Sequence, residues 1–403
     1  MTSNDSWQKV RLGDLAQNVT INEYEPLENG LTKYVAGDHL ESKKLFITKS
    51  GDLKTDKEVI GSAFHRKFSS GDILFGSRRV YLRKTGIATF DGLCSNTTLV
   101  IRKKSDELAD DILPFIFRLR KFTEYAIEKS TGSVTPYVLW RNLADFTFDL
   151  PSKPEQLKMK ETLWSIQTSI DNLENLLEKT KNYLISRRES LLTRGIGHTK
   201  FKKVPWYYGK TIEIPEEWEI KHISDIMKIT MGQSPPSESY NENGQGLPFY
   251  QGVTDFGSTH PNTRVWCTDS RKIAEENSIL FSVRAPVGEI NLTEKKCCLG
   301  RGVAALNPIK NDLWYCYYLL IQNKKWFYVY SQGTTYDAIN RDEIGKTKLP
   351  YTKNIKEQQK IVSILSKIDN QIIQQQSHLN DLYSLQDSIL NSKLTKEKTD
   401  VTN

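Results

Sequence analysis

Two short runs in this chain place an arginine where it can do chemistry. The first is Asp72-Ile73-Leu74-Phe75-Gly76-Ser77-Arg78, followed by Arg79 and then by Arg83 and Lys84. The second is Ser278-Ile279-Leu280-Phe281-Ser282-Val283-Arg284, followed by Ala285-Pro286. An Ile-Leu-Phe core between polar residues reads as a strand. An arginine leaving that strand beside glycine or proline is well placed to reach a guanine edge with both arms of its fork. A polar loop lies downstream in each case, residues 130–137 and 331–336. Ser133, Thr135 and Tyr137 in one, and Thr334, Thr335 and Tyr336 in the other, supply short donors and acceptors for phosphate or base contacts. Gln233, Ser234 and Arg341 complete the candidate set. The bland alternative for each is a solvated surface side chain; recurrence in both halves favours a role.

A second concentration of charge runs from Glu178 to Lys203. Lys179, Lys181, Arg187, Arg188, Arg194, Lys200, Lys202 and Lys203 stand there against Glu178 and Glu189. Such a stretch can neutralise phosphates, or it can be the solvated end of a helix. For the whole chain of 403 residues the net charge is +7, which permits nucleic-acid binding without requiring it.

Marks of catalysis are missing. Gly345-Lys346-Thr347 has the tail of a phosphate-binding loop, but position 340 is Asn, and Gly209-Lys210-Thr211 fails in the same way. Gly195-Ile196-Gly197 and Gly300-Arg301-Gly302 lack the third glycine of a dinucleotide site. Ser234-Pro235-Pro236-Ser237 approaches the motif with which amino-methyltransferases stack a flipped base. Its fourth residue is not aromatic, so a polar loop is expected. The six histidines are scattered. Cys94, Cys267, Cys297, Cys298 and Cys316 show no paired spacing, so buried thiols are expected, with no disulfide framework and no metal site. The apolar run ending at Ile321 is far short of the roughly 20 residues that span a bilayer. No secretory signal opens the chain, and a reducing cytoplasm is the expected setting.

The elements that must position these residues occur twice. The Ile-Leu-Phe cores stand 206 residues apart, Leu150-Pro151 and Leu349-Pro350 stand 199 apart, and Ile170-Asp171-Asn172 and Ile368-Asp369-Asn370 stand 198 apart. The offset drifts early in the repeat and holds late, so each repeat has a loop-rich front and a stiff helical back. Each front is expected to hold short strands (Ile73–Phe75, Ile87–Phe90, Thr98–Ile101 and Phe146–Leu150; Ile226–Thr230, Ile279–Val283 and Val303–Leu306). One helix is expected in each, near Asp111–Lys129 and near Asp312–Tyr330. The backs carry apolar residues at alternating spacings of three and four. They are Leu163, Ile166, Ile170, Leu173, Leu177, Leu184 and Leu191, then Ile361, Leu365, Ile368, Ile372, Leu379, Leu382 and Ile389. That is a coiled-coil seam, and the repeat supplies its partner within the chain. Thr180, Arg187, Gln375 and Gln386 are polar seam positions that either fix pairing or mark where the seam frays. The expected class is α+β: two pseudo-repeated mixed α/β domains joined by two long helices in an antiparallel coiled coil. The expected segments are domains at 1–152 and 213–352, long helices at 153–195 and 353–395, a linker at 196–212 and a tail at 396–403.

In this order the features resemble the specificity subunit of a Type I restriction-modification system. The carriers are the duplicated Ile-Leu-Phe strands, the Gly132-Ser133 and Gly333-Thr334 loops, and Leu150-Pro151…Glu155-Gln156 with Leu349-Pro350…Glu357-Gln358. Leu191-Leu192-Thr193-Arg194-Gly195-Ile196…Ile214-Pro215-Glu216-Glu217-Trp218 and Gly232-Gln233-Ser234-Pro235-Pro236…Leu247-Pro248-Phe249-Tyr250 add to it. One departure is that Glu155 to Asp171 spans 16 residues and Glu357 to Asp369 only 12. Either the first helix is a turn longer at its start, or Glu155-Gln156 is not the true equivalent. The resemblance implies that each front is a target-recognition domain for half of a split double-stranded DNA sequence. It implies that the helices set the gap and dock two modification subunits. Those partners carry S-adenosylmethionine and flip out an adenine for N6 methylation, and restriction subunits with ATP and Mg²⁺ complete the complex. The chain itself would bind no cofactor or metal and catalyse nothing. A stand-alone DNA-binding protein of two modules and a protein-binding coiled-coil scaffold remain as alternatives.

Overall fold

The computed structural model describes residues 7–56, 60–329 and 338–394. The chain divides into two compact units, one of residues up to Leu176 with those from Gln375 onward, the other of Leu177–Gln374. Two long helices, Lys153–Arg194 and Ile355–Leu394, each give one half to each unit.

In the first unit a five-stranded sheet runs in the order Ala16–Val19, Thr98–Lys103, Ile73–Gly76, Thr85–Ala88, Phe46–Ile47. A four-stranded sheet orders Gly51–Asp52, Lys33–Val35, Gly92–Ser95 and Phe64–Phe68. The Ile-Leu-Phe run is unbroken because both of its faces are covered. Leu74 points into a cluster with Val35, Phe68 and Val100, while Ile73 and Phe75 join Leu12, Phe115 and Phe122. The second unit repeats the device: Leu280 packs with Tyr250 and Leu299, and Ile279 and Phe281 with Ile226 and Leu319. Its central sheet orders Met227–Met231, Val303–Pro308, Ile279–Ser282 and Ile290–Leu292, all antiparallel.

Each unit ties an early strand to the strand that leads into a long helix. Gln8–Arg11 pairs antiparallel with Thr147–Leu150, and Glu219–His222 with Lys348–Tyr351. A glutamine then anchors each helix start. Gln156 accepts from the Ala109 N–H at 2.7 Å and donates to Glu107 O and Pro151 O, both at 3.0 Å. Gln358 accepts from the Asp312 N–H at 2.9 Å and donates to Asn311 Oδ1 and to Thr352 O. The shared bonding makes Glu155-Gln156 and Glu357-Gln358 true equivalents. The extra turn of the first helix therefore lies between Gln156 and Asp171.

The seams are occupied within each unit. In the first, Leu163 and Ile170 are fully buried, Ile166 and Leu379 are buried, and Leu173 and Leu382 are half-buried. Gln167 bonds Gln386 at 3.2 Å and Glu174 bonds Tyr383 at 2.8 Å, so numbers rise on one helix as they fall on the other. In the second, Ile361, Leu365, Ile368, Leu177 and Leu191 are buried, with Leu184 and Ile372 half-buried. One position moves: Ile389 is half-buried and Leu390 and Leu394 take the core. A helix of 3.6 residues per turn carries a strict seven-residue stripe slowly round its surface.

Three expected elements differ. The helix near Asp111–Lys129 is two helices, Leu113–Ile116 and Arg120–Glu128, because Leu119 is extended at φ −55°, ψ 134°. The helix near Asp312–Tyr330 is α-helical only over Leu313–Asn323 and becomes a 3₁₀ run over Lys324–Val329. Residues 196–212, expected as a linker, lie largely in a β-hairpin of Phe201–Pro205 and Thr211–Pro215. Its tip is held by Tyr207, whose ring stacks on Trp326 at 4.6 Å and whose hydroxyl accepts from the Lys348 N–H at 2.7 Å.

Candidate nucleic-acid interface

The first arginine turn grows directly from the buried strand. Ser77 is buried, and Arg78 and Arg79 emerge exposed, with no side-chain hydrogen bond or ion pair among the described residues. The downstream loop is laid against them. Arg78 bridges to Tyr137, the Arg79 N–H donates to Pro136 O at 2.7 Å, and the Val138 N–H donates to Ser77 O at 3.0 Å. The loop closes on itself through two bonds between Thr131 and Tyr137, at 2.8 and 2.9 Å. Its reversal passes through Gly132 at φ 98°, a conformation that side chains other than glycine's rarely adopt. Ser133 and Tyr137 are exposed and Thr135 is half-exposed beside the arginines. Val80 is buried beneath, while Tyr81 projects from the same turn.

Arg83 and Lys84, expected with this set, are used internally. The Arg83 Nη2 donates to the Arg118 carbonyl at 2.5 Å, and the Lys84 ammonium donates to Gly37 O. The break at Leu119 leaves that carbonyl outside a continuous helix, which is why it takes a side-chain donor.

The second arginine turn repeats the first. Arg284 bridges to Ala338, and the Ile339 N–H donates to Val283 O at 3.0 Å, the counterpart of Val138 on Ser77. Arg284 is exposed with no side-chain partner among the described residues. Thr334, Thr335 and Tyr336 lie outside the described residues. The Gln233 side chain is exposed, and Ser234 Oγ accepts from the Arg301 N–H at 3.2 Å. Ser234, Tyr240, Gln251, Arg284, Arg301 and Gly302 line one cavity of about 360 Å³. Arg341 is not part of it: it opens the short helix Arg341–Gly345 and lines a separate groove with Lys228. Arg301 and Gln251 were not among the residues expected from sequence. The signal available for Arg301 was its Gly-Arg-Gly setting, which reads as a broken dinucleotide loop.

The basic stretch is partly consumed within its own unit. Arg194 pairs with Glu213 at 2.7 Å and lies over the Phe201 ring, Arg188 donates to Gln322 at 3.1 Å, and Lys202 donates to Glu216 O at 2.8 Å. The Arg187 Nε is buried with no partner among the described residues. Lys179, Lys181, Lys200 and Lys203 remain exposed.

Beneath each front a polar group meets the helix pair. In the first unit Arg118 donates to Lys43 O at 2.7 Å, to Gln386 Oε1 at 3.1 Å and to Gln167 Oε1 at 3.3 Å, and burial draws its pKa down. In the second, the Tyr318 hydroxyl donates to Asp369 at 2.5 Å; burial raises the Asp369 carboxyl, and Arg188 opposes that rise. The five cysteines are free and buried, and desolvation pushes Cys94 and Cys297 up to about 12. Among the described residues no group of three His, Cys, Asp or Glu side chains is placed to hold a metal. None of the described helices is long and apolar enough to cross a membrane.

An exposed arginine turn beside a returning loop, mounted on a doubly covered strand, recurs in each of the two units, so the chain is a duplicated protein. The sequence matches the family described as Type I restriction modification DNA specificity domain over residues 4–187 and again over 215–381. The chain belongs to that family and is a Type I restriction-modification specificity subunit with two recognition domains. Specificity subunits are in general non-catalytic. The chain is similar to a putative type I restriction enzyme MjaX specificity subunit from Methanocaldococcus jannaschii, 26% identical across 97% of this chain and 96% of that one. A chain solved in work on complex assembly and conformational transition of the type I R-M system is 25% identical. It covers 96% of this chain and 97% of its own, with a TM-score of 0.57. The S subunit of the M. genitalium Type-I system, 16% identical with a TM-score of 0.59 over 99% of this chain and 98% of that one, shares the fold.

Proposed function

We propose that the two recognition domains each read one half of a split, asymmetric sequence in duplex DNA, through Arg78 and Arg79 in one and Arg284 in the other. The observation that carries this reading is the repeated arginine turn, held in both units by a backbone bond from the returning loop to the strand end. The two turns present different donor sets, adjacent Arg78-Arg79 in one and Arg284 followed by Ala285-Pro286 in the other, so the half-sites differ. The long helices act as spacer and as docking surface for two modification subunits. Those subunits supply S-adenosylmethionine and methylate adenine N6 after flipping the base, because its amino group is out of reach inside the stack. Restriction subunits bring ATP and Mg²⁺. The chain binds none of these cofactors, performs no catalysis and works in the cytoplasm.

The test is a methylome. The chain is expressed with its modification subunit in a host without adenine methylation, and N6-methyladenine is mapped by long-read sequencing. A split, asymmetric motif with a fixed gap is expected. A co-purifying complex that leaves no such motif overturns the reading, and duplex binding then separates a stand-alone DNA-binding protein from a scaffold.

A further inference from the structure

The cavity beside Arg284 brings together two sequence runs to which no base contact has been assigned, Gly232-Gln233-Ser234-Pro235-Pro236 and Gly300-Arg301-Gly302. Four backbone segments close around it. The Gly232 N–H donates to Val303 O at 2.9 Å, Gln233 N–H to Leu299 O at 3.0 Å, Gly300 N–H to Tyr250 O at 2.8 Å and Val283 N–H to Gly302 O at 3.0 Å. Three glycines permit this approach. A Cβ at Gly232 would meet Gly300 O at 2.1 Å, one at Gly302 would meet Gln251 O at 2.2 Å, and one at Gly300 would meet the Gln251 Cα at 3.0 Å. The cavity is therefore assembled by the fold. Its Tyr240 hydroxyl is taken, donating to Pro235 O at 2.9 Å, and Ser234 Oγ is taken by the Arg301 N–H.

What remains free is directional. Arg284 and Arg301 are both exposed on this cavity, and neither guanidinium has a hydrogen bond or ion pair among the described residues. Among the described residues no carboxylate lines the cavity to neutralise them, and no lysine does either. Phosphate contacts draw on lysines, arginines and backbone N–H groups. Here the N–H groups of Gly232, Gly300 and Arg301 are already bonded. Two planar guanidinium forks are left, with the Gln251 amide beside them, and the acceptor pair a planar fork meets most often on a base edge is O6 and N7 of guanine.

We infer that this cleft takes the acceptor edge of guanine in the second half-site, with Arg301 as a specificity-determining residue alongside Arg284. The inference rests on the DNA-reading function proposed above. The test uses the chain in complex with its modification subunit and a randomised duplex library, sequencing the bound fraction for the native protein, Arg301→Ala and Arg301→Lys. The native complex is expected to enrich a split motif with guanine in the half read by the second unit. Arg301→Ala should lower the preference for that guanine by roughly ten- to a hundredfold, leaving the other half-site unchanged. Arg301→Lys should behave like Ala, because an ammonium cannot reproduce the fork. A native motif left intact by Arg301→Ala overturns the cleft and spares the wider reading. Weakening that is equal on all sequences and rescued by Lys marks a phosphate contact and also overturns it. A native complex that enriches no motif overturns both.

Discussion

A side chain's surroundings decide whether its chemistry points outward or inward. Arg79 and Arg83 sit four residues apart at the same left-handed φ of 51°, yet the first side chain is exposed with no partner among the described residues and the second bonds a carbonyl beneath the front. Sequence made the first legible through its strand and hid the fate of the second, because the accepting carbonyl exists only where the helix breaks at Leu119. Asp369 is a comparable inward case. Burial raises its carboxyl above the ordinary 3.8, with the Tyr318 hydroxyl and Arg188 opposing less strongly. A carboxyl raised by folding takes its proton more readily in the folded state. Its cost to stability is therefore full at neutral pH, eases as pH falls through the folded pKa, and is gone below the unfolded one. Asp369→Asn keeps an acceptor for Tyr318 and removes the charge. It should melt higher than the native chain at pH 7, with the gap closing as pH approaches 3.8. Thermal unfolding followed by circular dichroism across that range checks this, and a native chain that melts higher at pH 7 refutes it.

Long helices were legible because three-and-four spacing over some 40 residues has no other reading. The helices of the fronts were legible only in outline. An apolar run such as 112–117 looks helical throughout, while the break that turns Arg118 toward Gln167 and Gln386 depends on tertiary partners. At Gln167 and Gln386 the seam is polar by design of the site: each amide oxygen accepts from Arg118 and one amide also donates to the other. Replacing Arg118 with Leu removes the shared donor and strands Gln386 Oε1 and Lys43 O, while Gln167 Oε1 keeps its bond from the Gln386 amide. The expected loss is roughly 1–3 kcal/mol, read as a lower urea midpoint. Ile170, fully buried nearby in the same unit, tests the seam itself. Ile170→Ala should cost about 2–5 kcal/mol. Ile170→Glu should cost more, because an unpaired carboxylate is buried, and should abolish co-purification with the modification subunit. Ile368→Glu is expected to do the same from the second unit. Retained co-purification would separate helix pairing from docking.

Duplication organises the whole chain, and sequence showed it best where the structure is stiffest. The repeat was plain along the helices and drifted through the fronts. It also extends to the first strands: Trp7…Leu12-Gly13-Asp14-Leu15 matches Trp218…Ile223-Ser224-Asp225-Ile226, and both runs enter the same strand-then-short-helix element. That match was hidden by loops of different length between it and the Ile-Leu-Phe strands. Two equivalent units with separate cores make two energetically separate readers. Arg79 and Arg284 lie in different units and share no hydrogen-bond partner among the described residues. Losses at such sites add to within about 0.5 kcal/mol. Arg79→Ala should relax only the first half-site and Arg284→Ala only the second, each by about 1–3 kcal/mol. The double variant should show the sum. Salt dependence separates this from simple charge removal. A lost phosphate contact flattens the slope of log affinity against log salt by about 1, whereas a lost base contact lowers affinity and leaves the slope in place. Titrations of target duplex at several salt concentrations should therefore give parallel lines for the native complex and both single variants. A flattened line for either arginine would assign it to the backbone and leave that half-site to be read by other residues of its turn and loop.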